Sequence, residues 1–336
     1  MIPKKSKLRV APFNVPFVRR RQTCAVFLWL ISLPSTIALF LISCTIPFFW
    51  PFVIAYSLFV LFDIAPENGG RRSNFCRRLQ LWKWYADFFP VSLVKQAELD
   101  PKKNYIFGYH PHGIISVGAW TNFCTEANNV SEVFPGVTIN MLMLTSNFNI
   151  PLYRDFFMAH GLCSVSRQSC VNILEKGPGN SILIVVGGAF ESLSARPGVY
   201  NLILKKRLGF IKLALSKGAD LVPVFSFGEN DIWDQVNNES NSFVFKLQSI
   251  VHKASGVTIP LFHGRGIFNY EWGLLPHRRP IVTVVGKPIS VKQNDNPTNE
   301  EVLELQNQYI NGLFEIWDQY KDVYAKDRVS DLTLVE

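Results

Sequence analysis

The apolar positions of this chain fall into two regimes. From Gln22 to Phe62 no Asp, Glu, Lys, Arg or His interrupts a run of Phe, Leu, Ile, Val and Trp, and such a run belongs in lipid. A hydrocarbon core about 30 Å thick takes roughly 20 helical residues to cross, so the run is long enough for two crossings. Pro47 and Pro51 lie just past its midpoint, where a turn would go. A single tilted helix followed by a re-entrant tail stays open on the pattern alone, since Pro34, Pro47 and Pro51 can each break a span. A cleaved signal peptide needs a shorter apolar region and a small-residue cleavage site.

From about Asp100 onward the pattern changes to short apolar strands separated by helical stretches. Strands are predicted at Tyr105–Tyr109, Thr138–Leu144, Ser181–Val186, Leu221–Phe227 and Ile281–Val285. Helical spacing occurs over Gln168–Lys176, closed by Gly177, over Leu208–Lys217, closed by Gly218, and over Phe243–Lys253. Thr298–Tyr324 reads as a long amphipathic helix with Thr298 as its N-cap. Strands alternating with helices of this length mean an α/β domain. Between the two regimes, Arg77 to Val94 mixes Arg and Lys with Trp82, Trp84, Tyr85, Phe88 and Phe89. That is the composition of a segment in the headgroup layer, its aromatics anchoring and its cations meeting phosphates; a core helix with charged ends has the same composition. The expected organisation is a basic tail over residues 1–21, a transmembrane hairpin over 22–63, an interfacial segment over 64–99 and an α/β domain over 100–336.

Charge sharpens the membrane reading. Of the formal net charge of +8, seven cations (Lys4, Lys5, Lys7, Arg9, Arg19, Arg20, Arg21) precede the first acidic residue, Asp63, and the remainder is nearly neutral. Such a distribution does not indicate a nucleic-acid partner. Basic residues flank the apolar run on both sides, with Arg71, Arg72, Arg77, Arg78 and Lys83 following it, which puts both ends in the cytosol. With 48% apolar residues in 336, global disorder is excluded. The six cysteines are scattered without a Cys-x-x-Cys pair, so neither a disulfide framework nor a zinc ribbon is indicated.

Three segments can do chemistry. The strand Tyr105–Tyr109 runs into His110-Pro111-His112-Gly113, and strand ends opening into glycine loops are where α/β domains place reactive groups. An imidazole there suits a general base at neutral pH. Two histidines two apart on a strand share a face and so also suit a metal, but no third ligand cluster lies nearby in the sequence, and a purely structural pair bonded to backbone groups is the bland alternative. Val185-Val-Gly187-Gly188-Ala-Phe-Glu191 is a second strand end carrying an acid, either solvated or orienting a histidine or an acceptor hydroxyl. Lys205-Lys206-Arg207 and Lys212 place cations before a helix, either solvating its end or holding phosphates.

Taken together, these segments resemble the type-2 diacylglycerol acyltransferase family, which includes monoacylglycerol and wax-alcohol acyltransferases. Its His-Pro-His-Gly motif is His110 to Gly113, and its long signature is matched without a gap from Arg207 to Glu229. Arg154-Asp155, Gly187-Gly188-Ala-x-Glu191 and Gly264-Arg265-Gly266 look like further family signatures, and the family's neutral-lipid pattern recurs as Phe27-Leu28-Trp29-Leu30. A family Tyr-Phe-Pro appears as Phe88-Phe89-Pro90, which lacks the hydroxyl. The His-to-Asp spacing of the wider glycerolipid acyltransferases is absent, Ile115 and Val117 standing where the acid would be.

The resemblance implies a membrane-anchored, glycerolipid-acyltransferase-like α/β fold with a mixed sheet flanked by helices, and transfer of an acyl group from acyl-coenzyme A to a neutral-lipid hydroxyl. Diacylglycerol is the expected acceptor, with monoacylglycerol or a long-chain alcohol as alternatives. A phosphoacceptor enzyme and a non-catalytic lipid-droplet scaffold are the rival classes. Plant members keep only the second histidine, so His112 is expected to be the base, His110 its support and Glu191 the carboxylate partner. Gly113, Arg154, Arg207, Lys212, Glu229 and Arg265 are expected to bind substrate, and Phe27, Leu28 and Leu30 neutral lipid. No metal and no cofactor besides the co-substrate acyl-coenzyme A are implied. The expected residence is the endoplasmic reticulum membrane, multi-pass with both ends cytosolic, and the lipid droplet; homo-oligomers are left open.

Overall fold

The computed structural model describes residues 9–12, 14–235, 248 and 260–335. The helix expected over Phe243–Lys253 lies outside these apart from Gln248.

The apolar run forms two helices, α1 (Phe17–Thr45) and α2 (Trp50–Phe62), joined through Ile46 and a 3-10 turn at Pro47–Phe49. The turn falls where the prolines predict it, because proline cannot donate within a helix but fits its first turn. Phe17–Thr45 and Pro47–Glu67 are each long and apolar enough to cross a membrane. The two are not alike. One face of the first half of α1 packs on the protein core: Ala25 and Val26 are buried, and Trp29 packs against Tyr85 and Trp120 with ring centroids 5.4 and 5.7 Å apart. Farther along, Leu39, Leu41 and Ile42 are exposed, as are most apolar residues of α2. Beyond α2, Asp63 takes Arg71 at 2.5 Å and the buried Arg154 at 2.7 Å, and the Tyr56 hydroxyl donates to Asp155. This polar junction fixes the hairpin to the domain.

Eleven strands follow among the described residues: β1 (Val91–Lys95), β2 (Tyr105–His110), β3 (Thr138–Met143), β4 (Leu162–Ser164), β5 (Asn180–Val185), β6 (Asn201–Ile203), β7 (Asp220–Phe227), β8 (Asp234–Gln235), β9 (Phe262–His263), β10 (Ile281–Val285) and β11 (Thr333–Val335). Seven form one mixed sheet in the order β1-β10-β7-β2-β5-β3-β4. Neighbours run parallel except at β10–β7, so β1 and β10 oppose the other five. All five expected strands are present. The edge strand β1 escapes the sequence pattern because it is short and directly follows the aromatic segment.

Period-two alternation along β2 separates the two cores. Tyr105, Phe107 and Tyr109 face a cluster with Trp82, Phe88 and Trp120, while Ile106 faces one with Phe210, Tyr309 and Trp317. The second cluster is covered by helix Gly209–Lys217 and by the long helix Asn299–Tyr324, which opens with the expected Thr298 cap in a full capping box: Thr298 accepts from the Glu301 amide at 3.2 Å and Glu301 reaches back at 2.7 Å.

The segment expected in the headgroup layer packs inward. Trp82, Tyr85, Phe88 and Phe89 are buried, along helix Gln80–Phe88. Arg77, expected to meet lipid phosphates, is fully buried as well. Its guanidinium donates to the carbonyls of His160 and Phe123 at 2.6 and 2.9 Å and pairs with Glu126 at 3.1 Å. A buried guanidinium needs such partners, and here the carboxylate lies 49 residues along the chain.

Candidate active site

Three adjacent parallel strands, β7, β2 and β5, end on the same side of the sheet, and each end carries one part of the site. β2 leads into the His-Pro-His-Gly loop, β5 into Gly187–Glu191, and β7 into Gly228-Glu229. The carboxyl ends of parallel strands are where open α/β sheets bind ligands.

The two histidines do not share a face, because the strand ends at His110 and Pro111 has no N–H with which to continue the ladder. His110 is fully buried. Its Nε2 lies 3.0 Å from the Tyr309 hydroxyl, which itself donates to the Gly108 carbonyl at 2.9 Å. The hydroxyl proton is thereby used, so Nε2–H of His110 donates and its Nδ1 holds the lone pair. That Nδ1 has no hydrogen-bond partner among the described residues, and burial pushes the imidazole down to about 3; at pH 7 it is neutral. Gly108 is required here, since a Cβ would collide with the Tyr309 hydroxyl.

His112 is half-buried. Its Nδ1 lies 3.1 Å from the Gly113 carbonyl; a carbonyl only accepts, so Nδ1 carries the proton and Nε2 presents its lone pair. Burial holds this imidazole below its ordinary value, partly offset by the Gly113 bond.

Glu191 reaches the loop at its backbone. It is buried, its Oε1 accepts from the His112 amide at 2.6 Å and its Oε2 from the Ile203 amide at 2.8 Å. The expected carboxylate partner therefore holds the main chain of His112 rather than its ring, tying the loop to β6. Gly187 leaves room for this carboxylate, which a Cβ there would strike. Burial raises Glu191 to about 7 against two favourable backbone bonds. Glu229, also buried, accepts through Oε2 from Tyr109 at 2.7 Å and from the Gly118 amide at 2.9 Å. Burial raises it to about 7. Its Cγ packs against Gly113, which has φ 61°.

A groove of about 830 Å³ opens at the end of β5. Ile184 and Val186 form part of its wall, and Arg167, Lys206, Arg207 and Lys212 line it with, among the described residues, a single acid, Asp295. Arg207 also donates to the Gly187 carbonyl at 3.3 Å, which joins the groove to the Glu191 turn. Among the described residues no group of three or more His, Cys, Asp or Glu is placed to hold a metal ion.

The structure thus brings His110, His112, Gly113, Glu191 and Glu229 together, with Arg207 and Lys212 alongside. It places the other expected residues elsewhere. Arg154 sits at the hairpin junction on Asp63. Arg265 donates to the Gly266 carbonyl at 3.2 Å and stacks on Tyr270 beside the start of α1. Phe27 and Leu28 are partly exposed on α1, whereas Leu30 packs against the core. Sequence reasoning missed Tyr309, although a hydroxyl within the apolar stripe Val302, Leu305, Leu313 and Ile316 is the kind of signal that marks a buried partner. Replacing Tyr309 by Phe is expected to destabilise the fold by about 1–3 kcal/mol, since the buried Nε2–H of His110 loses its acceptor; thermal denaturation of the purified protein checks this.

The fold and site define an α/β domain with a half-buried imidazole at the sheet end, on a loop whose backbone a buried carboxylate holds, and with a cationic groove at the end of the neighbouring strand. The chain belongs to the diacylglycerol acyltransferase family, whose model matches residues 40–335. It is 54% identical over 334 residues to diacylglycerol O-acyltransferase 2B of Umbelopsis ramanniana, covering 98% of this chain and 96% of that relative. Diacylglycerol O-acyltransferase 2 of Dictyostelium discoideum is 48% identical, with 97% and 99% covered. The 2-acylglycerol O-acyltransferase 1 of Bos taurus is 45% identical, with 95% and 97% covered. Among solved structures, the 1-acyl-sn-glycerophosphate acyltransferase of Thermotoga maritima matches with a TM-score of 0.37 at 12% identity, over 85% of this chain and 96% of that one; a likeness at that level carries no argument.

Proposed function

We propose that this protein is an acyl-coenzyme A-dependent O-acyltransferase that esterifies the free hydroxyl of diacylglycerol, with monoacylglycerol as the nearest alternative acceptor. The observation that carries the reading is the His112 imidazole, whose Nδ1–H is fixed on Gly113 so that Nε2 keeps its lone pair, at the end of a strand whose parallel neighbour β5 leads to a cationic groove. The relatives named above support the acceptor class.

In the proposed reaction Nε2 of His112 takes the proton of the acceptor hydroxyl as that oxygen attacks the thioester carbonyl. The resulting oxyanion is met by backbone N–H groups near Gly113, and its collapse expels the thiolate of coenzyme A, which recovers the proton from the imidazolium. The products are one ester and one thiol, without a covalent acyl-enzyme. General-base help contributes about 10² to 10⁴ in rate, and one oxyanion donor about 10² to 10³. Glu191 keeps the His112 backbone in place, and Arg167, Lys206, Arg207 and Lys212 receive the phosphates of the nucleotide. α1 and α2 hold the site at the bilayer, where an acylglycerol dissolves. Residence in the endoplasmic reticulum membrane, with both chain ends cytosolic, and on lipid droplets is part of this proposal.

Two measurements test it. Labelled acyl-coenzyme A is offered to the purified protein in vesicles with diacylglycerol, monoacylglycerol, a long-chain alcohol or a lysophospholipid, and the products are separated by lipid chromatography. Label is expected in triacylglycerol first; label confined to the lysophospholipid product overturns the reading. Replacing Lys212 by Ala is expected to raise KM for acyl-coenzyme A about tenfold with kcat little changed, as loss of one charge-assisted phosphate contact does.

A further inference from the structure

A second cavity, of about 580 Å³, lies where α1 begins, between the Val10–Pro12 stretch, the first turns of α1 and the Arg265–Arg278 segment. Among the described residues four arginines, Arg19, Arg20, Arg265 and Arg278, line it, and no carboxylate does. Glu271, the acid of this segment, pairs with Arg9 at 3.3 Å and stays out of the lining. The rest of the wall is mostly apolar, including Val15, Phe27, Ile267 and Phe268.

Two of the guanidiniums are held in place by neutral groups. Arg278 lies 4.1 Å over the Phe88 ring and donates to Gln22 Oε1 at 2.5 Å, to the Arg19 carbonyl at 3.0 Å and to Thr23 Oγ1 at 3.1 Å. Arg265 lies 4.5 Å over the Tyr270 ring. Burial first, then the neighbouring guanidiniums, lowers both: Arg278 to about 10, through Arg265 and Arg19 as well, and Arg265 through Arg19. Both remain charged at pH 7. Half-buried like charges facing one space repel one another, and an anion with several acceptor oxygens relieves that repulsion.

Position decides which anion. Thr23, Cys24 and Phe27 carry the cavity along the apolar helix, and the loop at its edge exposes Phe268, Trp272 and Leu274 by 70% or more. Cations beside exposed aromatic and aliphatic side chains at the mouth of a membrane helix mark the boundary between headgroups and acyl chains. Free phosphate would use the arginines and leave the apolar wall wet. A choline headgroup would place its own cation among the guanidiniums. A phosphomonoester presents three oxygens and close to two negative charges, and its acyl chains match the wall.

We propose that this cavity binds a phosphate-headed membrane lipid of the phosphatidate class, its phosphate on Arg19, Arg265 and Arg278 and an acyl chain against Phe27. The site is separate from the His112 loop and does not depend on the transfer reaction.

The test is binding of labelled phosphatidate to the purified full chain in detergent micelles, with phosphatidylcholine and inorganic phosphate as competitors and no acyl-coenzyme A present. Saturable binding is expected, with both competitors at least about tenfold weaker. Arg265→Gln is expected to weaken phosphatidate about tenfold, and Arg19→Gln with Arg265→Gln further, each removing one charge-assisted contact. Cys24→Trp, which fills the apolar part and leaves every arginine, is expected to weaken it as well, and decides the matter if the double variant does not fold. Wild-type affinity in these variants overturns the proposal. Equal competition by inorganic phosphate makes the cavity a bare anion site, and equal competition by phosphatidylcholine an unselective lipid surface; either result also overturns it. Since no acyl transfer is measured, the outcome is independent of the proposed activity.

Discussion

Replacing His112 by Ala is expected to lower the rate of acyl transfer about 10²- to 10⁴-fold with the fold intact. Among the described residues the ring makes a single hydrogen bond, from Nδ1 to the Gly113 carbonyl, and it is half-buried, so little packing is lost. The anchor of the loop is the His112 backbone amide on Glu191, which alanine keeps. His110→Ala should behave differently. It empties a fully buried site and leaves the Tyr309 hydroxyl without its donor, so activity and thermal midpoint fall together. Initial rates and thermal unfolding of the two variants side by side separate a chemical residue from a supporting one.

The second large effect is expected at Glu191. A carboxylate can accept from both backbone amides that face it, those of His112 and Ile203. The amide of Glu191→Gln has one acceptor oxygen, so one buried N–H meets another donor, at a cost of about 1–3 kcal/mol. The loop then shifts, and displacement of a catalytic group by about 1 Å costs on the order of 10² in rate.

The same carboxylate sets the pH dependence. Burial raises Glu191 from 4.5 to about 7, so as pH falls through that value it takes up a proton and releases one of its amides. The acid limb of kcat/KM is therefore expected near pH 7 and should vanish in Glu191→Gln, while the limb of His112, whose value lies below the ordinary one, falls at lower pH. Stability runs the other way. Glu191 and Glu229 both have folded-state values above the unfolded value of 4.5, so between about 4.5 and about 7 the folded protein holds more protons. Their contribution to stability is then greatest below that window and declines as pH rises through it, whereas His110, held at about 3, contributes in the opposite sense. The Glu191 part is read as a difference: relative to Glu191→Gln, the thermal midpoint of the unaltered protein should fall between about pH 5 and about pH 8 while its activity rises.

Much of this was legible in the sequence because it is written locally. The apolar run, its proline turn, the Thr298 capping box and the strand that delivers His110 to Gly113 each depend on residues close together in the chain, and each is where the pattern puts it. What the sequence hides is which distant group completes a buried polar atom. Tyr309 meets His110 from 199 positions away, and that pairing exists because the long helix crosses the sheet over Gly108. Glu191 is recognisable beside its glycines, yet that it holds a backbone amide instead of a ring follows only from the packing of β6 against the loop. Arg77 reads as a headgroup cation until Glu126 is found beside it. Arg154 and Arg265 lie in short motifs of their own, as the site residues do, but stand at the two places where the hairpin meets the domain. A motif records that a residue is used, whereas its location depends on the fold.

The most direct measurement is a single turnover by rapid quench. Purified full-length protein, in excess over labelled acyl-coenzyme A, is mixed in vesicles containing diacylglycerol, and label is followed in the thioester, the protein and the neutral lipids. Direct transfer to a hydroxyl activated by His112 predicts that label passes from thioester to triacylglycerol with none on the protein, and that His112→Ala slows this step by the factor given above. An acylated protein that forms and decays before triacylglycerol appears, or an unchanged rate in the folded variant, contradicts the account.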